Sequence, residues 1–174
     1  MIRGLRLRPV AEEDLPLLHA LHNTDPESGA AFDWFGFSNP VSRRRDWEEN
    51  GLLGTDSGHL VVALDREFLG SVSWRRTAFG PLNHGWNIGI GLVAEARGRG
   101  IGTEAQILLA RYLFAHTQVN RVDAHTNVAN IAEQRALEKA GFTREGVMRG
   151  AQFRNGSYHD MVLYSILRGE VPPA

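Results

Sequence analysis

The chain contains no cysteine. That one absence excludes disulfides, cysteine-ligated zinc and an acyl-cysteine intermediate. No apolar run approaches the ~20 residues of a membrane-spanning helix. No secretion signal is apparent at the amino terminus, so a soluble cytoplasmic protein is expected. Neither sign of charge is in excess: a net charge of −1 over 174 residues, with a sequence pI near 6.7, points away from nucleic acid and membrane surfaces as partners. Repeats and low-complexity segments are missing. His19 and His22 have no neighbours in the sequence that complete a metal-binding set, so no metal is expected. One domain over residues 1–174 is expected, long enough to bury roughly 70% of what the unfolded chain exposes.

The most informative stretch runs from Trp86 to Arg111. Trp86–Leu92 reads as a strand with Ile88, Ile90 and Leu92 on one face. Gly98, Gly100 and Gly102 follow at alternate positions between and after Arg97 and Arg99. Then Ile101, Ala105, Leu108, Leu109, Tyr112 and Leu113 recur with the period of a helix, which assigns Tyr112 to the core. A strand that turns through glycines into a helix leaves the first-turn N–H groups without carbonyl partners, and the helix dipole adds positive potential there. Such a turn suits a phosphate, and arginines can add forked bonds to its oxygens. The alternative is that the glycines only build a tight turn between solvated arginines.

Two phosphate-binding templates fail. The P-loop needs Gly-Lys-Ser/Thr after four residues, and the run here has no lysine. The dinucleotide fingerprint places its third glycine at Thr103, and its acidic ribose ligand would be Asp123, which lies inside the expected strand Arg121–Thr126.

Around this stretch the pattern is mixed α/β. Leu5–Arg8 reads as a strand closed by Pro9, followed by a helix from Ala11 to about Asn23 with Leu15, Leu18 and Leu21 on one side. From Thr24 to Pro40 the period is lost, but Phe32, Trp34, Phe35 and Phe37 gather there. These rings are expected to be buried, either over the end of a sheet or as the wall of an acceptor pocket. Ser42–Asn50 is a helix, with Arg43, Arg44 and Arg45 on its solvated side. His59–Leu64 and Phe68–Thr77 form a hairpin across Asp65-Arg66. Arg121–Thr126 is a strand parallel to Trp86–Leu92, Ile131–Ala140 is a helix ended by Gly141, and Val147–Phe153 with Tyr158–Leu167 close the fold across the turn Asn155-Gly156. Tyr158, His159 and Asp160 are expected to hold that last hairpin to the sheet and shape the cleft, and the tail from Glu170 is expected to be loose.

Arg97-Gly98-Arg99-Gly100-Ile101-Gly102 resembles the Arg/Gln-x-x-Gly-x-Gly/Ala loop of the GNAT superfamily of acetyl-CoA-dependent N-acetyltransferases. Leu7-Arg8-Pro9 with Glu13-Asp14-Leu15, Asn130 with Leu137, Lys139, Gly141 and Phe142, and Gly156, Asp160 and Tyr164 resemble the branch that acetylates ribosomal proteins. The resemblance covers nearly the whole chain. It implies a twisted, mostly antiparallel sheet whose two central parallel strands splay around the coenzyme. It further implies that main-chain amides from Arg97 to Thr103 hold the diphosphate and that the strand through Ile90 and Leu92 pairs with the pantetheine arm. Asn130 would contact that arm, and a backbone N–H near Leu92 would serve the oxyanion.

The chain departs from the family where a tyrosine often protonates the leaving thiolate, because Leu137 stands there; Glu133 replaces a serine common in the branch. Asn130, Glu133, Gln134 and Leu137 share a helical face, so Glu133 is one candidate proton acceptor and a surface ion pair its alternative. His125, at the end of its strand, is the other candidate, unless alternation turns it into the core or toward solvent. Catalysis by positioning alone is a third route. The expected activity is acetyl transfer from acetyl-CoA to a primary amine by direct attack, the acceptor being a protein N-terminus or a small amine. The rival is a non-catalytic acyl-CoA sensor. Dimers are common in the family, so the resemblance admits a homodimer, but nothing in the sequence fixes its surface.

Overall fold

The computed structural model describes residues 2–23, 32 and 35–171, without the side chains of 22 and 23. In chain order the elements are β1 (Leu5–Arg8), α1 (Leu15–Asn23), α2 (Pro40–Asn50), β2 (Ser57–Leu64), β3 (Glu67–Ala78), β4 (His84–Leu92), α3 (Ile101–His116), β5 (Arg121–Asn127), α4 (Ile131–Lys139), β6 (Thr143–Arg154) and β7 (Ser157–Leu167). A short 3-10 turn, Glu12–Asp14, replaces the expected first turn of the α1 helix. α2 starts two residues earlier than the apolar pattern suggests, because the Asn39 side chain accepts the Val41 N–H and Pro40 suits the first helical turn.

The seven strands form one sheet in the order β1-β2-β3-β4-β5-β7-β6. Every pairing is antiparallel except β4 with β5. That parallel pairing is short. It runs from Trp86↔Val122 through Ile88↔Ala124, while β4 continues to Leu92 and β5 to Asn127. The sheet therefore parts in its middle, at the C-terminal ends of two strands.

Strand alternation divides the side chains between two layers. Val62 and Leu60 of β2, Val72 and Trp74 of β3, Trp86 and Ile88 of β4, Val122 and Ala124 of β5, and Val162, Tyr164 and Ile166 of β7 pack with α3 and with Leu137 of α4. On the opposite face Val61 and Ala63 pack with Leu15 and Leu18 of α1 and with Trp47 of α2. Across β4, β5 and β7 that second face instead carries Asn87, Asp123, His125 and Ser165, which alternate with the core residues.

Four expectations fail in whole or in part. The buried stripe of α3 keeps Ile101, Ala105, Leu109 and Leu113 of the expected face but adds Gln106, Ala110 and Phe114 in place of Leu108 and Tyr112. Tyr112 consequently lies outside the core, 37% exposed, with its ring 5.9 Å from that of Trp74 and 4.9 Å from that of His116. The aromatic run departs in part: Phe35 and Phe37 are 63% and 91% exposed, whereas Phe32, under the Arg154 guanidinium at 5.5 Å, does line a cleft, and Trp34 is outside the described residues. Finally, Arg43 is half-buried and donates to the Leu18 carbonyl, unlike its solvated neighbour Arg44, which pairs with Glu12.

In the closing hairpin, Asn155 and Gly156 both have positive φ, as a two-residue turn requires. Asp160 accepts the Gly150 N–H at the bulge in β6, and His159 Nε2 lies 3.2 Å from the Arg154 carbonyl. Tyr158 departs from expectation, being 74% exposed against Phe153. At the tail, Glu170 accepts the Leu167 N–H, and residues 172–174 are outside the described residues.

Candidate active site

The glycine loop hangs between two anchors. Ala96 is fully buried before it, and Ile101, 1% exposed, begins α3 after it. Between them Gly98 and Gly100 take φ of 70° and 79°, a left-handed backbone that costs other residues about 1–2 kcal/mol. Steric room is not what requires glycine here, since a Cβ at either position would meet no atom of the described residues within 4 Å. Gly102 differs: a Cβ there would touch Leu92 and Ile90 at 3.6 and 3.9 Å. Gly100 is the N-cap of α3 and supplies no side-chain cap, so the first-turn N–H groups face outward.

Arg97 does not simply extend into solvent. Its Nε donates to the Leu92 carbonyl at 3.0 Å, and Arg99 donates to the Glu95 carbonyl at 3.3 Å. Val93 N–H donates to the Leu69 carbonyl on β3. By the alternation of an antiparallel ladder, Ile90 and Leu92 then turn their main-chain groups away from β3, toward the parted edge.

From this loop a cleft of about 490 Å³ runs between β4 and α4, bordered by Gly98, Gly100 and Thr103 on one side and by Asn130, Arg135 and Lys139 on the other. Asn130 is the N-cap of α4; its Oδ1 accepts the Glu133 N–H at 3.2 Å, and its Nδ2 is the donor left for a ligand. The two expected roles of Asn130, cap and contact, are compatible. The cleft leads to a smaller chamber of about 90 Å³ at the parting of the strands, where Ile88, Ile90, Ala124, His125, Gln106 and Glu133 converge.

His125 and Glu133 approach this chamber from opposite faces. His125 alternates with Ala124, which packs on the α3 side, so it belongs to the polar face; Glu133 sits on α4, on the α3 side. Burial holds the His125 imidazole below its ordinary pKa of 6.5, and the nearby charges of Arg75 and Arg121 push it the same way. It is therefore neutral, and able to accept a proton, at neutral pH. Asp123 is 2% exposed within β5 beside Arg121 at 2.6 Å, which removes it as a ribose ligand.

A diphosphate fits the loop. The open approach over Gly98 and Gly100, the outward N–H groups and the flanking Arg97, Arg135 and Lys139 match what such a ligand needs. Sequence reasoning missed Arg135 and Gln106 as wall residues. For Gln106 the signal was present in its i, i+4, i+8 spacing with Ala110 and Phe114.

Comparison with known proteins agrees with this geometry. The acetyltransferase (GNAT) domain model matches residues 4–143. The putative ribosomal N-acetyltransferase YdaF of Bacillus subtilis is 32% identical over 127 residues, covering 72% of this chain and 67% of the relative. The probable N-acetyltransferase YjcK of the same organism is 34% identical over 128 residues, covering 72% and 70%. Among solved structures, the spermidine N-acetyltransferase from Vibrio cholerae in complex with CoA and spermine superposes with a TM-score of 0.82 at 20% identity, covering 97% and 98% of the two chains. RimL, a ribosomal L7/L12 α-N-protein acetyltransferase in complex with coenzyme A, gives 0.79 at 24%, covering 95% and 94%. The chain belongs to the GNAT acetyltransferases, within the branch that resembles ribosomal-protein acetyltransferases, and is an acetyl-CoA-dependent N-acetyltransferase.

Proposed function

We propose that this enzyme acetylates the primary amine of a peptide or protein N-terminus, with His125 as proton acceptor. The observation that carries the reading is the two-sided chamber. The coenzyme cleft opens to the α3 and α4 side, and His125 stands on the other face, from which an amine reaches the same opening.

The acyl donor supplies a thioester whose carbonyl carbon is open to attack by a neutral amine. Main-chain amides from Arg97 to Thr103 hold the diphosphate, with Gly98, Arg99, Gly100, Ile101 and Gly102 forming the cradle. Asn130 Nδ2 and the outward main-chain groups of Ile90 and Leu92 hold the pantetheine arm, which carries the acyl group past the Leu92 N–H to the chamber beside Ile90. Holding the two reactants in line supplies up to roughly 7–11 kcal/mol of the barrier. His125 takes the proton that the attacking nitrogen sheds. Glu133, on the coenzyme side, is the less direct acceptor.

A protein N-terminus is favoured over a small amine because, of the aromatic loop, Phe32 alone among the described residues borders the cleft, while Phe35 and Phe37 are exposed and leave it open. The relatives named as ribosomal acetyltransferases support the same class. Acetyl-CoA is available inside the cell, so the enzyme acts in the cytoplasm. The test is thiol release from acetyl-CoA with a panel of N-terminal peptides, polyamines and amine-bearing antibiotics. Acceleration by peptides above the other amines is expected; selective acceleration by a polyamine or an antibiotic would overturn the acceptor class.

A further inference from the structure

Gln106, in the second turn of α3, is 1% exposed, yet neither Nε2 nor Oε1 of its carboxamide has a hydrogen-bond partner among the described residues. Burying an amide without partners costs free energy that a leucine or methionine of similar volume would not incur. The side chain borders the chamber at the parting of β4 and β5, beside Ile88, Ile90, Ala124 and Thr126. A polar group sealed in an apolar stripe and bordering a cavity finds its partner in that cavity, a ligand or the ordered water that a ligand displaces.

The chemistry of that partner follows from depth. The chamber lies at the level of Ile88 and Ile90, two to four residues below Leu92 and beyond the glycine loop. A coenzyme whose diphosphate is held at the loop brings its acyl end there, and this step rests on the coenzyme placement proposed above. The amides of the arm can pair with main-chain groups of β4. The thioester carbonyl has only lone pairs to offer, so it needs a donor, and the carboxamide supplies two N–H groups.

We propose that Gln106 donates a hydrogen bond from its carboxamide to the acyl carbonyl oxygen of the thioester. The bond tightens as the amine nitrogen joins the acyl carbon and the carbonyl π pair moves onto oxygen. When the carbonyl re-forms, the carbon–sulfur bond breaks with its electron pair left on sulfur, and the ammonium proton passes to His125. That proton then leaves for the thiolate or solvent. Gln106 thus acts from the coenzyme face and His125 from the acceptor face of the same opening.

The experiment compares Gln106→Leu and Gln106→Met with the parent enzyme by calorimetry of CoA and acetyl-CoA, steady-state turnover and thermal melting. Leucine fills the space with a branched chain and methionine with an unbranched one, so a folding failure in one leaves the other. The expected result is CoA affinity within about twofold, acetyl-CoA affinity lower by about fivefold or more, and kcat lower by roughly 10- to 100-fold. Melting temperature should be equal or higher, since the unpaired amide is gone. Equal affinities and unchanged turnover would overturn the proposal and leave Gln106 a structural residue. An equal loss for CoA and acetyl-CoA would also overturn it, because the bond would then not involve the acyl group. A parent enzyme that binds neither ligand would remove the coenzyme placement itself.

Discussion

Arg97 Nε donates to the main-chain carbonyl of Leu92 at 3.0 Å, tying the glycine loop to the last residue of β4. The bond joins the two parts that must act on one ligand: the loop that receives phosphate and the strand edge that lines the arm. Arg97→Lys keeps the charge but has no planar Nε–H to reproduce the tether. The acetyl-CoA KM should rise about tenfold, the effect of one hydrogen bond to a charged donor, with kcat changed by less than about threefold. A matching fall in kcat with constant KM would show that Arg97 serves the chemistry and not the binding.

Gly100 has a left-handed backbone and, among the described residues, no atom near its missing Cβ. Gly100→Ala should therefore have two separable effects. The strained φ costs about 1–2 kcal/mol, or a melting temperature lower by about 2–8 °C. The methyl group also enters the space through which the phosphate approaches, and CoA affinity should fall more than about tenfold by calorimetry. Loss of stability with unchanged affinity would mean that the loop is a turn only.

The neutral state of His125 gives the reaction a defined pH dependence. Its folded pKa lies below 6.5, chiefly through burial. The unfolded chain thus binds the proton more readily, and the stability contributed by neutral His125 is present above pH 6.5 and lost as pH falls through the folded value. The acid limb of kcat, read at saturating acceptor, should likewise lie below pH 6.5, at the lowered value where the folded base takes up its proton. His125→Gln should lower kcat roughly 100-fold and abolish that limb. Glu133→Gln should leave the limb in place, and a limb that disappears with Glu133→Gln instead would reassign the proton to α4.

The elements that lie on one face with a clean period were legible in the sequence. Ile88, Ile90 and Leu92 mark β4, Leu15 and Leu18 mark α1, and Gly98 and Gly100 mark the loop, because period and backbone freedom are local properties. The face of α3 was legible only in part, through Ile101, Ala105, Leu109 and Leu113. Leucine and tyrosine at 108 and 112 suggest a core stripe, but the sheet beneath receives the one that carries Gln106, Ala110 and Phe114. An amide adds nothing to a hydrophobic pattern, so only the spacing of Gln106 with Ala110 and Phe114 marked it. The fate of Phe35 and Phe37 was illegible for a related reason: burial of an aromatic in an aperiodic loop depends on partners distant in sequence. His125 could be assigned to a face only once Ala124 was seen to pack against the α3 side.

Asp14 tests the scaffold independently of the chemistry. Its carboxylate is 2% exposed and accepts both terminal nitrogens of Arg8, at 2.5 and 2.8 Å, and the Ala11 N–H at 2.8 Å, closing the corner between β1 and α1. Burial alone would raise its pKa, but the Arg8 fork and the Ala11 N–H outweigh it, and the group stays below its ordinary value of 3.8. The stability from this carboxylate is then fully present above pH 3.8 and lost as pH falls through the folded value. Asp14→Asn removes the charge and leaves the Arg8 guanidinium with a weaker acceptor. The expected loss is about 2–3 kcal/mol, or about 4–12 °C in melting temperature at neutral pH. The two proteins should converge as the pH is lowered past that value, since protonation does to the parent what the substitution does to the variant. A gap that stays constant from neutral pH to pH 3 would mean that shape, and not charge, is what Asp14 contributes.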